Sequence, residues 1–381
     1  MIHIVRRLTQ RQQRTALLTV VVALVIGSIL LLNDAETGIA KKAEIVFGDK
    51  TQSVTEKEKE YPRAREIVKA AGFINTDGEE IRIADYIGEK VILVDFWTYS
   101  CINCQRTQPY LNAWQEKYAD DGLLILGVHT PEFEFEEKYE NVLRAVKDAG
   151  IQYPVVQDNE YGTWSAYQNR YWPRKYLIDI DGFIVYDHIG EGNYEETEMK
   201  IQELLEERAV RLGEEMRERE MIATPAGVEG VDRTKPRTPE IYFGALRNAD
   251  YLGNGTASIT GEQTFEHPGT FVSDKLYLGG VWNITPEYAR GSADGTRIIL
   301  PYRAQKVFMV ASSKDGARVQ IYVDGKRIDA NNKGVHVNAD GTLDVQNEQL
   351  YRIIESSEYG THILEIVVEE GVIDAFSFTF G

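Results

Sequence analysis

The chain has 381 residues, a formal net charge of −18 at pH 7 and only two cysteines. This length suits two domains, each large enough to bury a core of its own. Two cysteines cannot form a disulfide framework, and an acidic protein repels phosphate backbones. The composition therefore excludes a disulfide-stapled protein and argues against a nucleic-acid partner.

The N-terminus has the pattern of a membrane anchor. Residues 1–15 hold four arginines and no acid, and residues 16–32 (ALLTVVVALVIGSILLL) are uncharged and apolar or small. As a helix this run is about 25 Å long, at the short end of what crosses a ~30 Å hydrocarbon core. It is longer than a usual signal-peptide core and no A-x-A site follows at once, which favours an uncleaved anchor over a cleaved signal. Basic residues next to a membrane-spanning helix are retained on the cytoplasmic side of the membrane. We therefore expect a single-pass protein of the cell membrane with a cytoplasmic tail (1–15) and an extracytoplasmic remainder.

Residues 33–61 are mostly polar and lack periodicity, so they predict a stalk. In residues 62–212, short apolar runs alternate with helical patterns and end in a hairpin. The predicted strands are 90–97, 123–129 and 153–158, the helices are 102–118, 141–150 and 194–212, and the hairpin is 175–190. This alternation predicts an α/β domain with a mixed sheet.

The pattern changes after residue 212. Residues 213–238 first extend a charged helix and then become rich in Pro and Gly, which predicts a linker. Residues 239–381 show alternating apolar runs separated by DG, NG and NN turns, as in an antiparallel β-sandwich. No catalytic motif stands out in this part, so we expect it to be a binding or bracing module.

The two cysteines lie three residues apart in VDFWTYSCINCQRTQP, residues 94–109. A strand that ends just before Cys101, followed by a helix that begins there, places this sulfur where unpaired N–H groups and the helix dipole stabilise a thiolate. Cys104 lies one turn further along the helix. Cys101 could therefore attack a substrate disulfide and Cys104 could resolve the mixed disulfide.

Two other interpretations of the cysteine pair, a zinc site and a structural disulfide, are less favoured. A zinc site needs about four ligands, and the six histidines are scattered without ligand spacing, so we predict no metal site. An inert structural disulfide would close so short a loop that it would contribute little stability.

The segment around the cysteines resembles the active-site segment of thioredoxin-like proteins. Asp95 lies six residues before the first cysteine, and Pro109 lies five after the second. The longer strings FWTYSCINC, GVHTPEFEFE, NRYWPRKYLID and GEGNYEETE look like the DipZ-like branch of the TlpA-like thioredoxin family, and the likeness covers about residues 62–381. The resemblance implies a thiol:disulfide oxidoreductase that acts on protein dithiols or disulfides, with no cofactor besides a redox-active Cys101–Cys104 disulfide.

The same resemblance implies partners. Members of this branch usually carry a CcdA-type electron-conducting membrane domain, whereas this chain has one candidate helix, so a membrane donor of CcdA type is an expected partner. Their C-terminal region resembles a carbohydrate-binding module with a jelly-roll fold. The resemblance therefore implies that the β-sandwich of this chain is jelly-roll-like, and it makes a glycan a candidate ligand. Trp282, Tyr251 and Tyr288 fall in polar stretches where sugar-stacking rings could lie, although ordinary packing explains each ring as well.

Asp95 is the candidate proton acceptor. It lies in an otherwise apolar run, so burial would raise its pKa and let it take the proton from Cys104. By contrast, Glu132 and Glu134 alternate with phenylalanines, and we expect them to form a solvated face without chemistry.

Four further residues are candidate substrate contacts. The resemblance implies that Pro173 is cis and packs against the cysteines, which leaves the backbone of Trp172 free to pair with an extended substrate. Trp97, Tyr99 and Trp172 would then line an apolar groove around Cys101.

These features together predict a membrane-anchored, extracytoplasmic thiol:disulfide oxidoreductase. Ile102 and Asn103 cannot stabilise a thiolate by charge, which favours a reductant over a strong oxidant. The alternative is a cell-envelope binding or scaffold protein whose β-sandwich recognises a glycan or a protein.

Overall fold

The computed structural model describes residues 52–215, 220–222, 224–232, 234–293 and 295–381. The predicted tail and anchor (1–32) and most of the stalk lie outside the described residues. Within the described part, no helix is long and apolar enough to cross a membrane. The end of the predicted stalk contains one helix, α1 (Val54–Glu60), whose first turn is closed by a hydrogen bond from the Ser53 N–H to the Glu56 carboxylate (2.9 Å).

Residues Pro62–Gly381 form one compact unit. We call residues 62–212 the α/β region and residues 239–381 the β region. The α/β region contains a six-stranded mixed sheet in the order β1-β4-β3-β2-β5-β6. Its strands are β1 (Gly72–Ile74), β2 (Val91–Trp97), β3 (Leu123–His129), β4 (Val155–Gln157), β5 (Arg174–Ile178) and β6 (Ile184–Ile189). The three central strands β4, β3 and β2 are parallel, and the outer pairings are antiparallel.

The helices of the α/β region are α2 (Ile102–Tyr118), α3 (Tyr139–Asp148), α4 (Gly162–Ala166) and α5 (Tyr194–Leu212). α5 ends where Gly213 takes a left-handed conformation (φ +68°), which a residue without Cβ adopts at no steric cost. The predicted α/β fold with a mixed sheet is confirmed. β1 and α4 were not predicted, because three to five residues are too few to show a period.

The central strand β2 positions the cysteines. All seven of its residues are buried, as expected of a strand that is covered on both faces. It pairs with β3 on one side and β5 on the other, and it ends at Trp97. The turn that follows brings Cys101 to the carboxyl end of the parallel strands, where α/β proteins usually bind their ligands.

The β region is all-β, as predicted, and forms a nine-stranded sheet. Its strands are β7 (Ile241–Tyr242), β8 (Gly261–Phe265), β9 (Tyr277–Ile284), β10 (Ala289–Ser292), β11 (Arg297–Ser312), β12 (Ala317–Val323), β13 (Lys326–Arg327), β14 (Thr342–Val345) and β15 (Gln349–Phe380). β11 lies between two parts of β15, because Met309 pairs with both Tyr351 and Phe378. Two apolar runs that the sequence separates, TRIILPY and KVFMVASS, are thus one continuous strand. The jelly-roll-like arrangement stays a prediction.

The α/β and β regions share a hydrophobic core. One buried cluster contains Phe133 and Phe135 of the α/β region together with Leu350 and Phe376 of the β region. The ring of Phe376 lies 5.1 Å from that of Phe133 and 4.8 Å from that of Phe135, in edge-on contacts. Apolar burial of this kind holds the two regions in one fixed arrangement.

The shared core predicts an unequal effect of two leucine truncations. Leu350→Ala removes a side chain that is 4% exposed and should lower the free energy of unfolding by about 2–5 kcal/mol. Leu246→Ala removes the same atoms from a side chain that is 77% exposed and should change it by less than about 0.5 kcal/mol. Urea unfolding of the two variants measures the difference. Equal losses at both positions would contradict the shared core.

Candidate active site

Cys101 and Cys104 occupy the first turn of α2. Cys101 is the residue that caps the helix, and its Sγ accepts a hydrogen bond from the Cys104 N–H (3.3 Å). Both are free thiols; Cys101 is partly exposed, whereas Cys104 is 1% exposed. A substrate can therefore reach the first sulfur but not the second.

Cys104 is held in its protonated form. Burial is the main cause that raises the pKa of this thiol, and its hydrogen bond and proximity to Cys101 and the charge of Asp95 raise it further. A thiol in this state is a poor nucleophile until a base removes its proton.

Asp95 can provide that base. It lies on β2, is 1% exposed, and is paired with Lys175 of β5 in the sheet register. Burial raises the pKa of Asp95 from 3.8 to about 7, against an opposing effect of the Lys175 charge. Neither carboxylate oxygen accepts a hydrogen bond from any residue that the structure describes. The predicted burial is confirmed, and a pKa near 7 suits a group that takes up and releases a proton at neutral pH.

Trp172 and Pro173 directly precede β5, the antiparallel neighbour of β2. The peptide bond between them is cis, as the resemblance implied. The Trp172 Nε1 donates a hydrogen bond to the Thr130 carbonyl (3.1 Å), and its ring lies 4.3 Å from that of Trp164. Among the described residues, neither the N–H nor the C=O of Trp172 takes part in a backbone hydrogen bond. Trp172 and Cys101 both line an open cleft of about 640 Å³, which we call the Cys101 cleft.

The structure corrects the expected positions of Trp97 and Tyr99. Their side chains are 2% and 8% exposed, and neither lines the Cys101 cleft. Both rings instead pack on the buried imidazole of His129, at 5.0 and 5.7 Å. Both residues instead line a separate cavity of about 720 Å³ along α2, together with Gln105 and Pro109. They are therefore not part of the lining of the Cys101 cleft.

A second buried carboxylate holds the turn before Cys101. Glu136 is fully buried and accepts hydrogen bonds from the N–H and Oγ of Ser100 (3.2 and 2.7 Å). It also accepts from the N–H groups of Glu132 (2.6 Å) and Phe133 (3.1 Å). Burial raises the pKa of Glu136 to about 6. The sequence offered no signal for this role, because Glu136 stands among several other acids.

The opposite wall of the Cys101 cleft comes from residues far along the chain. It consists of residues 235–247 together with Thr379 and Phe380. Arg247 forms an ion pair with Glu132 (2.7 Å), and the Tyr242 hydroxyl donates a hydrogen bond to the same carboxylate (2.9 Å). The expectation that Glu132 is solvated was therefore wrong, whereas Glu134 is exposed as predicted. Contacts between residues more than 100 positions apart leave no local sequence signal.

The aromatic residues considered for sugar stacking are engaged in packing. Trp282 is fully buried in the core of the β region, and its Nε1 donates a hydrogen bond to the Gly279 carbonyl (3.0 Å). The ring of Tyr288 packs 5.0 Å from Phe376, and Tyr251 packs against the core of the β region. Trp282 is thus inaccessible to a sugar, and packing accounts for the other two rings.

The raised pKa of Asp95 predicts that Asp95→Asn stabilises the folded protein by an amount that depends on pH. Between about pH 4 and 7 the unfolded chain loses a proton that the folded protein keeps, so the folded state loses stability as pH rises. The amide cannot ionise. The unfolding free energy of the variant relative to the unmodified protein should therefore rise across this window by at most about 4 kcal/mol and level off above pH 7.

Urea unfolding at a series of pH values measures this difference. Asp77→Asn, at an exposed loop position, is the matched control and should show no such rise. A difference between Asp95→Asn and the unmodified protein that stays constant from pH 4 to 8 would contradict the buried, proton-binding carboxyl.

Comparison with known proteins agrees with this geometry. Residues 63–187 match the model of the AhpC/TSA family, and residues 238–381 match that of the thioredoxin-like C-terminal domain. The chain is 33% identical to the protein DipZ of Mycobacterium bovis over 314 residues, which are 81% of this chain and 41% of DipZ. It therefore spans less than half the length of that relative.

Two shorter relatives match the α/β region. The thiol-disulfide oxidoreductase ResA of Bacillus cereus is 31% identical over 138 residues, which are 36% of this chain and 76% of ResA. The thiol-disulfide oxidoreductase YkuV of Bacillus subtilis is 27% identical over 128 residues, 34% of this chain and 86% of YkuV. Since ResA is 31% identical and is matched over 76% of its length, the chain belongs to the thioredoxin-like thiol-disulfide oxidoreductases, and it resembles DipZ over most of its own length.

Proposed function

We propose that this protein is a membrane-anchored, extracytoplasmic thiol:disulfide oxidoreductase that reduces protein disulfides. The observation that carries the proposal is the arrangement of three groups: a partly exposed Cys101 at the start of a helix, a buried Cys104 beneath it, and a buried Asp95 with a pKa near 7. Relatives named thiol-disulfide oxidoreductases support the same chemistry.

In the first step the Cys101 thiolate attacks one sulfur of a substrate disulfide. A bond forms between Cys101 and that sulfur, the substrate S–S bond breaks, and the other substrate sulfur leaves as a thiolate. At the N-terminal turn of α2, the Cys104 N–H donates a hydrogen bond to the attacking sulfur (3.3 Å). The open backbone of Trp172 is suited to pair with an extended substrate segment during this step.

In the second step Cys104 resolves the mixed disulfide. Asp95 takes the proton from the Cys104 thiol, and the resulting thiolate attacks the Cys101 sulfur. The bond between Cys101 and the substrate breaks, the second substrate thiol is released, and a Cys101–Cys104 disulfide forms. The substrate gains two electrons and the enzyme loses two.

The oxidised enzyme then needs an electron donor. Ile102 and Asn103 do not stabilise a thiolate by charge, which supports the reducing direction. Outside the cytoplasm the electrons must cross the membrane, so a donor of CcdA type fits the proposal. The apolar run 16–32 and the arginines before it support the anchor and its orientation.

Single-cysteine variants test the two steps. Cys104→Ser should accumulate substrate proteins bound to Cys101 as mixed disulfides, because the resolving thiol is absent. Cys101→Ser should trap few or none, because the remaining thiol is buried and protonated. Non-reducing gels after acid quenching measure the trapped species. Equal trapping by both variants would reverse or abolish the assigned roles.

Asp95→Asn tests the proton transfer. The amide cannot accept the Cys104 proton, so the release of substrate from the mixed disulfide should slow roughly 10- to 100-fold near pH 7. The first step, attack by Cys101, should change far less. Stopped-flow measurement of both steps separates them, with Asp77→Asn as the control. If Asp95→Asn and the unmodified protein released substrate at equal rates from pH 6 to 8, Asp95 would have no part in the mechanism.

A further inference from the structure

The Cys101 cleft carries a charge opposite to that of the protein. Among the described residues that line it, four are cationic (Arg170, Lys235, Arg237 and Arg247) and two are acidic (Glu132 and Glu240), a net charge of +2. The whole chain carries −18. A cationic cleft around the reactive sulfur of an acidic protein concentrates anionic ligands there and raises their rate of association.

Three of these cations have charge available for a ligand. Arg247 is neutralised by its ion pair with Glu132. By contrast, Arg170, Lys235 and Arg237 form no ion pair with a carboxylate of any residue that the structure describes. These three therefore provide the positive charge on the two sides of the opening.

The positions of the cations are set by contacts with the β region. The Arg237 guanidinium donates a hydrogen bond to the Phe380 carbonyl (3.2 Å). The Lys235 ammonium lies 5.2 Å from the centre of the Tyr359 ring. Arg170, two residues before Trp172, comes from the opposite wall. The Cys101 cleft is thus lined by cations from both the α/β region and the segment after residue 234.

The shape of the cleft favours an extended segment. Its volume of about 640 Å³ is that of a small-ligand site, so it admits a few residues at a time and not a folded surface. The unpaired backbone groups of Trp172 offer hydrogen bonds to such a segment along one wall.

We infer that the Cys101 cleft binds an extended segment of a substrate protein in which acidic residues flank the cysteine, and that Arg170, Lys235 and Arg237 recognise those acidic residues. The inference rests on the proposed function, since it names the substrates of the same site. It assigns substrate selection largely to the chain after residue 234, which lies outside the α/β region.

The test uses two pairs of peptides on the full chain. In the exchange pair, each peptide carries one disulfide. Asp and Glu flank the disulfide in the acidic peptide, and Lys flanks it in the basic peptide. In the binding pair, serine replaces the cysteines, so that fluorescence anisotropy reports affinity without redox chemistry. The unmodified protein should bind and exchange the acidic peptide roughly tenfold better than the basic one at low ionic strength. This preference should fall below twofold at about 1 M salt, where the Debye length is about 3 Å.

Charge reversal locates the preference. Lys235→Glu with Arg237→Glu should abolish or invert it. Lys326→Glu with Arg327→Glu makes the same change in net charge at two exposed residues of β13 that do not line the cleft, and should leave the preference intact. Arg170 lies in an exposed loop of the other wall, and Arg170→Glu alone should weaken the preference. This single variant still tests the inference if the double variant at Lys235 and Arg237 fails to fold.

The outcomes separate the inference from the proposed function. Exchange of a neutral small disulfide without any preference for acidic peptides would overturn the inference and leave the oxidoreductase intact. An acidic preference in binding without exchange of any disulfide would support the inference and overturn the proposed function. A preference confined to small anionic disulfides, or an equal effect of the two double variants, would overturn the inference.

Discussion

The removal of water from the inner side of helix α2 is the constraint on which the chemistry of this protein depends. Cys104 and Asp95 lie between the first turn of that helix and the central strand β2, and each is 1% exposed. A carboxylate and a thiolate are both disfavoured there, so the two groups hold their protons at pH values where exposed carboxylates would be ionised. The same burial that lowers stability above pH 4 thus prepares a proton acceptor with a pKa near 7 beside the thiol that must lose its proton.

The apolar contact between the α/β and β regions adds the second element of the site. Phe376 packs edge-on against Phe133 and Phe135. The next residue in the chain, Glu136, accepts hydrogen bonds from Ser100 in the turn before Cys101. Because the contact of Phe376 is apolar and buried, the two walls of the Cys101 cleft keep one relative position. The β region is therefore part of the active-site architecture, since Tyr242, Arg247, Thr379 and Phe380 line the same cleft as the reactive sulfur.

A group of buried charges connects the helix of the cysteines to both the linker and the β region. The side chain of Arg106 on α2 is 2% exposed and lies 3.6 Å from carboxylate oxygens of Glu191 and Glu229. Glu229, in the linker, also pairs with Lys306 and with Arg352 (2.9 Å) of the β region. Charges buried in this way are costly unless all of them are present, so the group favours one docked arrangement over alternatives. Its five members come from five separate parts of the chain, and α2 is held by the linker as well as by its own sheet.

The sequence by itself determined the local elements and the reacting groups. The apolar run before Cys101, the helix that begins there and the charged helix 194–212 have periods that reflect burial directly, and their observed bounds differ little from the predicted ones. Asp95 was identified as the candidate proton acceptor because a single acid in an otherwise apolar strand is expected to be buried, and burial raises the pKa of a carboxyl group. Only the tertiary structure decided what surrounds them: that Trp97 and Tyr99 are core residues, that Glu132 pairs with Arg247, and that Arg237 lines the same cleft as Cys101. The reason is physical, since periodicity records which face of an element is buried but not which distant segment covers it. Arg247 and Glu132, like Arg237 and Cys101, lie more than 100 residues apart in the sequence.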